Sequence, residues 1–159
     1  METAEIGSLL INKKLLVSKV FILIRRKMQN ITREMLKIYK PVSNLDWLNY
    51  KIVRTSNLTF HHIKKRCDGG RKEISNGALL LGNSAHPYLH LIEYKDINTY
   101  IAINKIFEYI NKQKTEPTLE QRKIIEYLLQ QFEKIHRWDK GSKGKLLIQR
   151  KYLERGFYN

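Results

Sequence analysis

The chain has 159 residues, enough for one domain with a substantial core. Its 30 Lys and Arg residues outnumber its 15 Asp and Glu residues, giving a formal net charge of +15, which favours polyanionic partners such as nucleic acid. The single cysteine, Cys67, excludes an intramolecular disulfide framework and is typical of a reducing compartment, so we expect a cytoplasmic protein.

Residues 1–45 are predicted to form a basic, helical N-terminal extension. The stretch 8–27 is apolar, but three lysines interrupt it, and its longest uncharged run is far shorter than the ~20 apolar residues of a membrane-spanning helix. These charges also argue against a signal peptide. We therefore predict an amphipathic helix here and no membrane partner.

The central region, residues 46–95, contains an unusual concentration of histidine. Four of the five histidines lie in it, namely His61, His62, His86 and His90. The residues around the first pair are β-branched and aromatic, which predicts a short strand. Because successive side chains of a strand point to opposite faces, the two neighbouring histidines are expected to face opposite ways.

The sequence after this strand predicts a loop, a second strand and a helix. The loop contains a tight turn at 68–70, and Gly77 to Leu81 is an apolar run short enough for a buried strand. Ser84 is expected to cap the helix, with Pro87 in its first turn. His86 and His90 would then lie four residues apart on one helical face.

This arrangement resembles the HNH nuclease motif, the ββα-metal finger, in the histidine-rich variant of the DNase colicins. The resemblance covers residues 57–93. It implies that His61, His86 and His90 bind the metal, that His62 is the general base, and that Asn76 braces the loop. The spacing between Asn76 and the first helix histidine exceeds the family pattern, so a bulge is expected at residues 82–83.

The chemistry of phosphodiester hydrolysis suits such a set of residues. A metal neutralises charge on the phosphoryl and leaving oxygens, and a histidine that stays off the metal can take a proton from water near neutral pH. Three imidazoles favour Zn, Ni or Mn, while a phosphate could complete a Mg shell, so the identity of the divalent metal stays open. A purely structural metal knuckle is the main competing interpretation.

Residues 96–136 are predicted to form a helical hairpin that packs on the core. One helix should follow Asp96 with an apolar stripe that includes Ile97 and Ile101, and Asn98 and Asn104 are expected at its surface. After the break at Pro117, a second helix is predicted from Leu119 to His136, with Thr118 as its cap. Residues 137–159 form a basic, aromatic tail.

The predicted fold class is therefore α+β, a small ββα-metal finger flanked by N- and C-terminal α-helices. Basic residues of the loop and of the tail are expected to contact nucleic acid. They are Lys64, Lys65, Arg66, Arg71, Lys72, Lys140, Lys143, Lys145, Arg150 and Lys151.

The function predicted from these features is a metal-dependent HNH endonuclease that acts on DNA. The small size, high lysine content and single finger also resemble HNH proteins of phages and mobile elements. RNA stays open as a substrate, and so do the monomeric and dimeric states. The alternative is a non-catalytic protein with the same finger, which binds nucleic acid or inhibits another protein.

Overall fold

A computed structural model describes residues 31–136 of the chain. The predicted helix at 8–27 and the basic tail at 137–159 lie outside the described residues. The fold class is α+β, as predicted. The described elements are helix α1 (31–39), strand β1 (Leu58–His62), strand β2 (Gly77–Leu81), and helices α2 (Ala85–Lys95), α3 (Ile97–Gln113) and α4 (Leu119–His136).

The two strands form an antiparallel hairpin in which Phe60 pairs with Leu79 and His61 with Ala78. Short 3-10 helices precede both strands. The register is continuous from the Leu58–Leu81 pair to the His62–Gly77 pair. Residues 82–83, where a bulge was expected, follow β2 in the turn before α2, and the N–H of Gly82 donates to the carbonyl of Asn57.

One hydrophobic core joins all the described elements. Helix α3 contacts α2, α4 and β2, and its buried side chains recur at the helical period. The apolar ones are Tyr100, Ile103, Phe107 and Ile110, and Asn104 and Asn111 are buried among them. The predicted stripe was partly wrong, because Ile97 and Ile101 are close to half exposed on the side of α3 that faces away from this core.

One of the predicted helix caps is wrong. Thr118 caps α4 as predicted, since its hydroxyl accepts from the N–H of Gln121 while the Gln121 side chain accepts from the N–H of Thr118. Asp96 caps α3 through the N–H groups of Asn98 and Thr99. The side chain of Ser84 does not cap α2, and only its carbonyl enters the helix, as acceptor for Tyr88.

A buried aspartate ties the segment before β1 to the end of β2. Asp46 Oδ1 accepts from the N–H groups of Leu48 and Tyr50, and Oδ2 accepts from the N–H of Leu81, all at 2.9 Å. Arg122 of α4 donates to the Asp46 carbonyl at 2.9 Å. This network links the hairpin to the last helix through polar contacts that water does not reach.

Between residues 31 and 136, no helix combines the length and the apolar composition that a membrane crossing needs.

We expect Asp46→Asn to destabilise the fold by about 1–3 kcal/mol. An amide group at this position must turn its N–H₂ toward at least one of the three backbone N–H groups that the carboxyl group now accepts from. Urea denaturation would measure the loss, with the exposed Asp68→Asn as the control. Equal stability of the two variants would show that the network contributes nothing to folding.

Candidate metal centre

Three histidines converge where the hairpin meets α2. His61 of β1 is buried, with 2% of its surface exposed, and its ring centroid lies 5.2 Å from that of His86 and 5.7 Å from that of His90. The two rings from α2 stack at 5.1 Å, because residues four apart lie one above the other on a helix. Each of the three rings contributes one nitrogen to a cluster in which all three nitrogens lie within 4.8 Å of one another.

The outward nitrogen of His61 is held by a residue of α3. Its Nε2 lies 3.1 Å from Oδ1 of Asn104. The orientation of that amide is determined, because its Nδ2 donates to the carbonyl of Tyr100 at 3.0 Å. The amide oxygen can only accept, so the proton of the neutral His61 ring resides on Nε2, and its Nδ1 carries a lone pair toward the cluster.

The outward nitrogen of His86 is held by the strand. Its Nδ1 lies 2.9 Å from Thr59 Oγ1, and that hydroxyl donates its only proton to the Leu80 carbonyl, also at 2.9 Å. The hydroxyl must therefore accept from Nδ1–H of the histidine. The lone pair of His86 is left on Nε2, which faces the cluster.

The third ring is held from its own helix. His90 Nδ1 lies 2.9 Å from Oε2 of Glu93, one turn further on. A carboxylate accepts, so Nδ1 is the donor and Nε2 remains for the cluster. The other carboxylate oxygen of Glu93 pairs with Lys65 of the loop, which also places its amine 5.6 Å from the centre of the Tyr100 ring.

Two of these lone pairs face each other directly. His61 Nδ1 and His86 Nε2 are 3.4 Å apart, yet neither carries a proton in the tautomers that their partners impose. Two nitrogens bound tetrahedrally to one Zn ion at about 2.0–2.1 Å would be separated by about 3.4 Å. The spacing thus fits ligands of a shared cation, and the outer acceptors orient the rings as such acceptors do in metal sites.

The protonation state of the rings also suits a bound cation. Burial, reinforced by the neighbouring histidines, lowers the pKa of His61 to about 3 and that of His86 to about 4. Burial and the nearby charge of Lys65 also lower the pKa of His90. Near neutral pH the two most buried rings are therefore neutral, so a metal ion need not displace protons from them.

His62, the predicted general base, stays off the cluster. Its ring packs edge-on against Phe60 at 4.8 Å, on the other face of β1. Burial and the charges of Arg66 and Lys72 lower its pKa, which keeps the ring neutral. Its Nε2 is enclosed and has no hydrogen-bond partner among the described residues. An unpaired buried polar atom lowers the stability of the fold by about 1–3 kcal/mol, and proteins typically keep such an atom where it has another role.

Asn76 closes the loop between the strands. Its Oδ1 accepts from the N–H of Lys64 at 2.7 Å, and its Nδ2 donates to the carbonyls of Lys64 and Arg71 at 2.9 Å. Three backbone groups on the two sides of the loop are therefore held by one side chain. This is the loop-bracing position expected from the sequence.

The loop cations predicted to contact nucleic acid have different environments. Lys64, Arg66 and Arg71 are exposed, whereas Lys72 is partly buried, with its amine 5.9 Å from the centre of the Phe60 ring. Lys65 pairs with Glu93, so its charge is balanced by the carboxylate that holds His90. The other predicted contacts lie in the tail outside the described residues, at Lys140, Lys143, Lys145, Arg150 and Lys151.

The sequence patterns did not predict the three residues that orient the histidines. Asn104 was predicted at the surface, and this was wrong, because 7% of it is exposed and it contacts His61. Thr59 lies two residues before His61 on the strand, and Glu93 lies three residues after His90 on the helix. These spacings place each residue on the same face as its histidine, so the sequence could have indicated both. No local signal connects Asn104 to a histidine that precedes it by 43 residues.

Comparisons with protein-family models, with curated proteins and with solved structures find no match to this chain.

We predict that the protein binds one Zn or Ni ion and that His90→Ala abolishes this. At a free metal concentration of about 100 times Kd, binding should raise the free energy of unfolding by about 2.7 kcal/mol. Denaturation with and without metal, together with calorimetric titration, would measure both effects. His136→Ala is the control, since that ring packs on Phe132 of α4. Unchanged binding by His90→Ala would exclude the proposed ligand set.

We expect Thr59→Val to weaken zinc affinity roughly 10–100-fold, the range for loss of an outer partner of a metal ligand. Valine has nearly the same shape but cannot accept from Nδ1–H of His86, so this ring can adopt the wrong tautomer. Competition with a chromophoric chelator would measure the affinity. The exposed Thr55→Val variant should bind like the wild type, and equal affinities for all three proteins would contradict the tautomer assignment.

Proposed function

We propose that this protein is a metal-dependent endonuclease with an HNH-type ββα-metal finger, and that it hydrolyses phosphodiester bonds in DNA. The observation that carries the proposal is the convergence of three histidine lone pairs, from a hairpin strand and the following helix, beside a fourth histidine that is not part of the cluster. The order strand, loop, strand, helix is that of the finger which the sequence resembles.

In this proposal His61, His86 and His90 hold the divalent metal. A bound metal of this kind supplies Lewis-acid neutralisation at the scissile phosphate and at the leaving oxygen. His90 is the most exposed of the three ligands, so substrate approaches from its side of the cluster. The buried His61 anchors the set to the core, and Asn104 keeps its ring in the required tautomer.

His62 has the role of general base. A neutral imidazole with a lowered pKa can accept a proton from the attacking water. The His62 ring as a whole is only partly buried, although its Nε2 is enclosed, so water must reach the ring at its exposed side. The neighbouring Arg66 and Lys72 add positive charge that attracts the scissile phosphate to the same side. Because Asn76 holds both ends of the loop that follows His62, it maintains the position of this base.

The charge of the chain supports a nucleic acid substrate. A net charge of +15 attracts any phosphate backbone independently of sequence. Exposed Arg66 and Arg71 lie on the loop that begins two residues after the proposed base. Since hydrolysis at such a centre neither needs nor forbids a 2′ hydroxyl, DNA and RNA must be compared experimentally.

We expect the metal-loaded protein to nick or linearise plasmid DNA, and His62→Ala to lower the rate by about 10²–10⁴-fold, the usual contribution of a general base. Gel assays with Mg, Mn, Ni and Zn would measure it. His62→Ala should retain zinc affinity, because the ring is not a ligand, and His136→Ala should retain activity.

A wild-type protein that is inert on both DNA and RNA with every metal would refute the enzymatic proposal. If the inert protein still binds nucleic acid, and His62→Ala binds equally well, the finger is a binding module instead.

A further inference from the structure

An exposed tyrosine continues the line of metal-binding histidines along α2. His86, His90 and Tyr94 are separated by four residues each, so they lie on one side of the helix, and each step advances about 6 Å along its axis. The exposed fraction increases along this line from the partly buried His86 to Tyr94, which is 83% exposed. Tyr94 is thus the next side chain beyond the outermost metal ligand.

Packing among residues 31–136 does not explain this aromatic side chain. Tyr94 is outside the hydrophobic core, whereas the other tyrosine of α2, Tyr88, is completely buried and donates to Glu133. The amine of the adjacent Lys95 lies 5.8 Å from the centre of the Tyr94 ring. An exposed aromatic ring next to a cation is the combination that binds a nucleotide, since the ring stacks on the base and the cation contacts the phosphate.

We propose that Tyr94 stacks on an unpaired base next to the phosphate that occupies the metal centre, so that the preferred substrate is single-stranded or locally unpaired DNA. This inference rests on the proposed nuclease function and specifies its substrate. Bases in an intact duplex are covered by their neighbours and offer no face to a tyrosine. A base in a single strand has an open face, and any of the four bases can stack.

The charge around Tyr94 favours nucleic acid over a protein partner as the occupant. Lys95 lies beside the ring, and Lys64, Arg66 and Arg71 are exposed on the loop whose Lys65 pairs with Glu93, one residue before Tyr94. A strand whose phosphate lies at His90 therefore has positive groups on the loop side and an aromatic surface along α2.

Fluorescence anisotropy with a labelled single strand and with the duplex of the same sequence would test this. All proteins would be zinc-loaded and carry His62→Ala, which keeps the strand intact. Adding Tyr94→Ala should weaken single-strand binding roughly 5–150-fold, the effect of losing one stacked base, and should leave duplex binding nearly unchanged. Tyr94→Phe should retain the affinity, since the ring and not the hydroxyl stacks.

Tyr109→Ala is a matched control. Tyr109 is 63% exposed on α3 and has the Lys112 amine 5.8 Å from its ring centre, but it does not continue the histidine line. Its loss should not change the affinity. Equal single-strand affinity for the Tyr94→Ala and Tyr94 proteins, or an equal loss for Tyr109→Ala, would overturn the inference.

Photocrosslinking with a strand that carries 5-iodouracil provides a second readout. The crosslink should map to Tyr94, and a crosslink confined to other residues would also overturn the inference. These measurements do not depend on cleavage. An inert wild type whose Tyr94→Ala variant loses single-strand affinity would therefore refute the nuclease function and leave the stacking surface in place.

Discussion

The candidate metal centre depends on two nitrogen lone pairs that face each other across 3.4 Å, on His61 Nδ1 and His86 Nε2. Without a cation between them this arrangement is repulsive, and the rings could relieve it by changing tautomer. They are prevented from doing so because Asn104 and Thr59 accept from their outer nitrogens. The polar partners outside the cluster thus determine the direction in which each ring presents its lone pair.

The hairpin and α2 carry the four histidines, but they do not form the complete site without α3. The partner of His61 is on α3, and the ring of Phe107 from the same helix lies 6.3 Å from that of His61. This helix also forms the centre of the hydrophobic core, where it contacts α2 and α4. A single helix therefore buries His61, orients it and stabilises the hairpin that carries it, which would couple the affinity for a metal to folding.

Charge is distributed unevenly around the centre. Glu93, the carboxylate that holds His90, is itself paired with Lys65, so the interior of the site carries balanced charge. Two other loop cations, Arg66 and Lys72, lie near His62, whose ring is on the opposite face of β1. The candidate ligand His61 and the proposed base His62 thus share a strand but have different electrostatic environments, which is what separate roles in metal binding and proton transfer would require.

Local sequence periods determined the hairpin, the existence of α2, the bounds of α4, and the grouping of His61, His86 and His90. Alternation along a strand and the four-residue repeat of a helix act over a few residues, and the sequence displays them directly. Tertiary structure alone decided that Asn104 is buried against His61, that Lys65 is bound by Glu93, and that the Nε2 of His62 is enclosed. These outcomes depend on which helix face packs on the hairpin, and that choice is made by the shape of the whole core.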